Sequence, residues 1–263
     1  MLERILADTR RRLARSQALR PLSLLARQAE AAPPPLDLAA ALAQPGVQLI
    51  AEVKRRSPSR GELCPGLHPA ALAAAYARGG AAALSVLTEP QHFGGSLADL
   101  AAARAGLDGA GRRLPILRKD FFVDPYQVVE ARAHGADAIL LIVAALDPAR
   151  LARLLAEARR WGLAALVEVH SEEELDQALT LGPRIVGLNS RNLADMTLDP
   201  AVVERLRPRI PPETLVVAES GIRGPADVRR VRQAGVDAVL VGEALVRAAD
   251  AQALARDLVE AGR

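Results

Sequence analysis

An α/β fold of the (β/α)8 barrel type, carrying an N-terminal helical extension, is what this sequence predicts. Three observations lead there. Eight short apolar runs rich in Val, Ile and Leu recur about every 20 to 35 residues, and Ala-, Leu-, Arg- and Glu-rich segments with helical spacing separate them. A weak internal repeat sets Gly135-Ala136-Asp137-Ala138-Ile139-Leu140 against Gly235-Val236-Asp237-Ala238-Val239-Leu240, offset by 100 residues, or about four units of 25. Continuous apolar strands joined by helices mean a parallel sheet buried on both faces. Eight such units suit a closed barrel better than an open doubly wound sheet, and the glycine fingerprint of a dinucleotide fold is missing after the first strand.

Residues 1–45 lie outside the eight units. Leu2, Ile5, Leu6 and Leu13 have helical spacing, and Pro33-Pro34-Pro35 is a stiff break before the next apolar segment, so this stretch is expected to pack on the barrel as helix. The strands are expected near 48–53, 82–87, 114–118, 137–143, 163–169, 184–188, 214–219 and 236–241. Leu151, Leu154, Leu155 and Ala158 mark one intervening helix, which starts after Asp147-Pro148. Gly135 and Gly235 each end a helix just before a strand. At 263 residues one core suffices, so 1–263 is expected to be a single barrel domain.

Composition excludes several classes. The formal charge is 34 − 31 = +3, and half of the residues are hydrophobic. With a mean hydropathy of +0.11 and no apolar run approaching about 18 residues, no membrane span is expected. The Arg-rich first twenty residues hold no secretory apolar stretch, which points to the cytoplasm. A lone Cys64 and four dispersed His offer no metal-ligand spacing, so no metal is expected. The pI of about 9.6 comes from Arg pairs spread among acids, and aromatics are only 2%, too few for the stacking platforms of a nucleic-acid binder.

Of the 34 basic residues only Lys54 and Lys119 are lysine. Arginine supplies charge, but not an amine whose pKa burial can tune for proton transfer or a Schiff base. In a barrel the chemistry lies at the carboxyl ends of the strands, and both lysines fall there. Glu52 and Lys54 share one face at the end of strand one, Lys119 ends strand three, Glu168 lies in strand five, and Glu219 ends strand seven. Such charges must face each other, a ligand or water. Lys119 with Glu168 is the sharpest pair, since opposite charge and partial burial can bring an acid and a base into working range near neutral pH.

Strand six runs into Asn189, Ser190, Arg191 and Asn192, which include both asparagines of the chain; Asn189 and Arg191 could offer an amide and a fork of donors to a substrate. Glycines after the last two strands, at Ser220-Gly221 and Gly242-Glu243, suit phosphate held by backbone N–H groups, with the Glu243 side chain turned away. Phe93 and Phe121 stand where an aromatic substrate ring would pack, whereas Phe122 is expected to close the core. His92 and His170 lie near strand ends without an obvious acid partner in sequence.

The motifs AEVKRRSPSRG, HFGGS, LRKDFFVDPYQ, LVEVH, GLNSRNL, VAESGI and VLVGEAL, in this order over nearly the whole chain, closely resemble indole-3-glycerol phosphate synthase, a TIM-barrel family. The resemblance implies ring closure of 1-(2-carboxyphenylamino)-1-deoxyribulose 5-phosphate to indole-3-glycerol phosphate, with loss of CO2 and water, in tryptophan biosynthesis. It implies Lys119 as general acid and Glu168 as base, with Glu52 and Lys54 assisting proton transfer and the division of the acid role between the two lysines open. Ser57, Phe93, Phe121, Asn189, Arg191 and Glu219 would bind the substrate, and Ser220, Gly221, Gly242 and Glu243 would line the phosphate site. Ser57 would lie at that site's edge. The implied partner is a small anionic phosphosugar bearing an aromatic ring; no cofactor is implied, and a monomer or weak homo-oligomer is expected. Two departures stand out. Gln91-His92-Phe93 replaces a loop in which relatives often have two aromatics and a Gln, and Arg60 stands where many have Lys. The alternatives are a Schiff-base aldolase on a phosphosugar with Lys119 as nucleophile, and a non-catalytic binder of a phosphate ligand.

Overall fold

The computed structural model describes residues 1–64, 66–193 and 196–263. The eight apolar runs form β1 (Gln48–Val53), β2 (Ala83–Leu87), β3 (Ile116–Lys119), β4 (Ala138–Ile142), β5 (Ala164–Val169), β6 (Ile185–Asn189), β7 (Leu215–Glu219) and β8 (Ala238–Val241). Each pairs in parallel with its neighbour, and β1 closes on β8 through Gln48↔Ala238 to Ala51↔Val241, so the sheet is a closed barrel. Alternating side chains split the core in two. Ile50, Ala83, Leu117, Leu166, Ile185 and Val217 fill the interior, while Leu49, Leu84, Ile116, Val167, Val186 and Val216 meet the surrounding helices.

The internal repeat has a structural cause. Gly135 and Gly235 both adopt positive φ, 79° and 82°, reversing the chain after helices Pro125–Ala133 and Pro225–Gln233. The two aspartates that follow clip the start of the preceding strand: Asp137 Oδ2 accepts from Ile116 N at 2.7 Å, and Asp237 Oδ2 accepts from Val216 N at 2.7 Å. Asp137 does more, because its other oxygen accepts from Leu36 N at 2.8 Å and its carboxylate also pairs with Arg104. Asp137→Ala is therefore expected to cost about 3 kcal/mol, the scale for breaking a buried ion pair and orphaning backbone donors. Asp237→Ala should cost less. Denaturant midpoints of the two variants check both.

The extension is three helices, Leu2–Leu19, Leu22–Ala31 and Leu38–Leu42. The first lies beside the carboxyl end of the barrel: Asp8 pairs with His92 at 2.8 Å and Arg12 with Asp120 at 2.7 Å, while Tyr126 O–H reaches Ser16 O and Arg20 O. The second packs Leu25 and Ala29 on Tyr126 and Val129. The third plugs the opposite end, with Leu38 and Leu42 fully buried against the interior layer. Two elements near the barrel mouth are additions to the sequence reading. Arg56–Ser57 pairs with Gly61–Glu62 as a small hairpin, and Pro90–Phe93 forms one helical turn whose N–H groups at Gln91, His92 and Phe93 are all accepted by Glu89. No helix among the described residues is long and apolar enough to cross a membrane.

Candidate active site

A cavity of about 430 Å³ opens at the carboxyl ends of the strands. Its walls include all four expected proton-transfer residues, all six expected substrate contacts, and Ser220, Gly221, Gly242 and Glu243. At its floor Lys119, on the last position of β3, sends Nζ across the barrel to Glu219 Oε2 at 2.6 Å and Glu168 Oε2 at 3.1 Å. Glu52, 2% exposed, accepts Lys54 Nζ at 2.6 Å. The parallel register makes this convergence possible: Glu168 lies opposite Gly187, and the absence of a side chain there leaves room for the Glu219 carboxylate.

Burial pulls Lys119 toward neutrality, but Glu168, Glu219 and Glu52 together outweigh it and hold the ammonium above its usual range. Burial likewise pushes Glu168 up, and Lys119, His170 and an Asn189 hydrogen bond reverse this and keep it well below an ordinary carboxylate. Glu219 is the group left near neutrality. Burial, with the charge of Glu168, raises it to about 8 against the pull of Lys119. The sequence pointed to Lys119 and Glu168 as the pair near working range; in the structure both stay charged and Glu219 is poised instead. These carboxylates and ammonium groups share one network, so proton gain at Glu219 depends on who holds Lys119.

The remaining walls divide by chemistry. Phe93 and Phe121 lie 6.1 Å apart between ring centroids, tilted by 38°, and Leu87, Leu140, Ile142 and Leu240 extend that apolar side. Phe122 faces the outer core under the Arg118 guanidinium, as expected of a core residue. On the opposite side, Ser220 (φ 63°) and Gly221 (φ 78°) form a left-handed turn after β7. Arg60, Arg223 and Arg247 also line the cavity; Glu243 reaches Arg60 at 3.5 Å and Arg247 at 3.7 Å, which gives its side chain partners of its own. Among the described residues no group of His, Cys, Asp and Glu is placed to hold a metal ion.

The family model described as "Indole-3-glycerol phosphate synthase" matches residues 2–258. The chain belongs to the indole-3-glycerol phosphate synthase family. Relatives bearing that name include one from Parafrankia sp. (strain EAN1pec), 52% identical over 261 residues that cover 99% of this chain and 96% of the relative. One from Saccharopolyspora erythraea is 51% identical, covering 100% and 96%. Among solved structures, a thiamine phosphate pyrophosphorylase from Pyrococcus furiosus is similar with a TM-score of 0.62 at 20% identity, over 86% of this chain and 97% of that one. At that identity the likeness is one of fold.

Within this member of the indole-3-glycerol phosphate synthase family, two details differ from the sequence reading. Asn189 lines the cavity, 6% exposed, but its Oδ1 is already taken, by Ser220 Oγ at 2.7 Å and Arg191 N at 3.0 Å, so only its N–H side, which hydrogen-bonds Glu168, is left to face a ligand. The histidines do have acid partners. His92 pairs with Asp8 from the extension, and His170 stands between Glu168 at 3.3 Å and Glu174 at 3.0 Å. The second pairing had a local signal, since Glu168 at i−2 shares a strand face with His170 and Glu174 lies at i+4. Arg247 gave no comparable signal, because one more arginine on a short helix is unremarkable in so Arg-rich a chain.

Proposed function

We propose that this chain catalyses ring closure of 1-(2-carboxyphenylamino)-1-deoxyribulose 5-phosphate to indole-3-glycerol phosphate. Family membership supports the reaction. The observation that carries the assignment of roles is the buried Lys119 ammonium held charged between Glu168 and Glu219, beside an aromatic wall.

Lys119 donates a proton to the ribulose carbonyl oxygen as the carboxyl-bearing ring carbon attacks, leaving a hydroxyl on the new ring. CO2 departs and its bonding electrons restore the aromatic ring. The hydroxyl then takes a proton from the Lys54 ammonium and leaves as water, with the aniline nitrogen supplying electrons, and Glu168 takes the proton lost from the adjacent carbon. Glu52 holds Lys54 at 2.6 Å, where the pair assists proton transfer at the carbonyl side. Phe93 and Phe121 pack on the anthranilate ring, and Ser57, Arg191 and Glu219 contact the rest of the substrate. Ser220, Gly221 and Gly242 offer backbone N–H groups to the phosphate, with Glu243 at its edge. Every step is acid and base chemistry by residues of the chain.

The Schiff-base alternative is disfavoured by the same geometry. An amine nucleophile must shed its proton, and Glu168 and Glu52, joined by Glu219 once it ionises, oppose that at Lys119. The test is to mix purified protein with the anthranilate ribulotide and follow indole absorbance and CO2 release. Borohydride should trap no covalent adduct on Lys119; trapping, or the absence of indole, overturns the proposal.

Glu219 also sets an expected pH dependence. Below about pH 8 it holds a proton; once ionised it adds a second full charge against Lys119 and weakens that acid. The kcat is therefore expected to fall on the alkaline side with a midpoint near 8, and Glu219→Gln should move or flatten that limb. An unchanged limb in Glu219→Gln excludes this group as its source.

A further inference from the structure

We infer that His170 is a positioning residue for Glu168, holding the carboxylate aimed and ionised by bracing it against Glu174. The inference deepens the reading of Glu168 as the base and rests on it. His170 is absent from the cavity wall, so it acts through Glu168 and touches no substrate.

The two oxygens of Glu168 face different cations. Oε2 accepts from Lys119 Nζ at 3.1 Å, and Oε1 lies 3.3 Å from His170 Nε2. The ring approaches off the line of a good hydrogen bond, so this second contact is chiefly one of charge. The other edge of the ring is fixed. Nδ1 lies 3.0 Å from Glu174 Oε2, and the same oxygen accepts the His170 backbone N–H at 2.8 Å. Glu174 in turn sits in the first turn of helix Glu172–Leu179, its N–H accepted by the Ser171 cap at 3.3 Å. A chain of fixed contacts thus runs from a helix N-terminus to one oxygen of a buried carboxylate.

The need for such a brace follows from the chemistry. When Lys119 gives up its proton, Glu168 loses its nearest cation while remaining 1% exposed, and burial then favours capture of a proton by Glu168 before its own step. His170 is a second cation that Lys119 chemistry does not discharge. Burial lowers the imidazolium, but Glu168 and Glu174 outweigh it and raise it to about 10, so the charge persists through neutral pH. The charged and titratable groups around the pair are few. Lys119 faces Glu168 from β3, Glu219 from β7, and neutral Asn189 from β6, while β4 places apolar Ile142 opposite it. Glu174 alone faces His170 from its helix, and the turn Val143–Ala145 behind that helix is apolar.

The experiment compares His170→Leu, His170→Gln and Glu174→Gln with the parent chain and with Glu168→Gln, in kcat, KM and their pH profiles. His170→Leu is expected to lower kcat about 30-fold or more with KM within about threefold, and to move the acidic limb of kcat upward by about one pH unit. His170→Gln, which restores an N–H donor without the positive charge, should recover only a small part of the loss and leave the acidic limb shifted upward. Glu174→Gln should shift the limb in the same direction by less. In the double variant His170→Leu with Glu168→Gln the losses should not add. Independently of substrate, 15N resonances of the His170 ring should show both nitrogens protonated through about pH 8, with a lower midpoint in Glu168→Gln. Full kcat in His170→Leu, a loss confined to KM, a Gln variant with the parent's kcat and acidic limb, or ring titration near the ordinary value of about 6.5 overturns the inference. Full activity in Glu168→Gln sinks the assignment of the base and this inference together, whereas an inactive Glu168→Gln beside an unimpaired His170→Leu sinks this inference alone.

Discussion

Lys119→Arg is expected to bind substrate within a few-fold of the parent affinity and to lose turnover by about a thousandfold, toward the upper end of what a positioned general acid supplies. The substitution separates charge from acidity. A guanidinium keeps the positive charge that Glu168 and Glu219 require, so the buried carboxylates are not left unpaired. It does not release a proton at any relevant pH, and its planar fork matches two carboxylates better than it reaches a carbonyl oxygen. Binding of a non-reacting phosphosugar analogue measures the first property, and single-turnover indole formation measures the second. If the Lys119→Arg variant turned over near the normal rate, position 119 would be electrostatic only, and the acid would have to be Lys54. Lys119→Met is the harsher control, because it strands two buried carboxylates and is expected to disturb folding as well as chemistry.

This separation shows what could be read from residues in order and what could not. The barrel was legible because each strand is a continuous apolar run, the mark of a parallel sheet buried on both faces, and eight such runs without a dinucleotide fingerprint favour closure over an open sheet. Lys119 was legible through scarcity, since in a chain of 32 arginines a lysine at a strand end carries information that another arginine would not. The charge states were not. Glu168 and Glu219 both end up buried on the same ammonium, yet one is held ionised and the other raised to about 8. That difference arises because His170 reaches Glu168 and not Glu219, and Glu219 instead shares a hydrogen bond with Glu168 that favours its protonated form. Which of two similar carboxylates receives the second cation depends on barrel register. It is invisible to spacing along the chain. The docking of the first helix was hidden for a related reason: Asp8 and Arg12 find His92 and Asp120 across 84 and 108 residues. A helical period reports a face without naming what the face meets.

Gly242→Ala is the second large effect expected, and it tests the packing of the site. The backbone at Gly242, φ −121°, lies outside the left-handed region, so a positive φ is not the issue. Space is. A Cβ there would overlap Glu52 Oε2 and stand 3.0 Å from Lys54 Nζ, well inside contact distance. Glu52 is 2% exposed and cannot retreat into the packed wall behind it, so the only free volume is the cavity itself. The methyl group therefore drives the Glu52–Lys54 pair toward the substrate's place and breaks its 2.6 Å contact. Overpacking of this kind costs about 1–3 kcal/mol of stability, to be read from a denaturant midpoint. The kinetic penalty should be larger, about a hundredfold in kcat/KM, because a displacement of about 1 Å in a proton-transfer group is enough to spoil its alignment. Gly187→Ala offers the matched comparison, since its Cβ would overlap Glu219 Oε1 and leave Glu52 untouched. It should disturb the alkaline limb, where Glu219 titrates, whereas Gly242→Ala should lower the whole profile. Normal kcat/KM in Gly242→Ala would show that Glu52 and Lys54 can move without consequence, and the acid role would then belong to Lys119 alone.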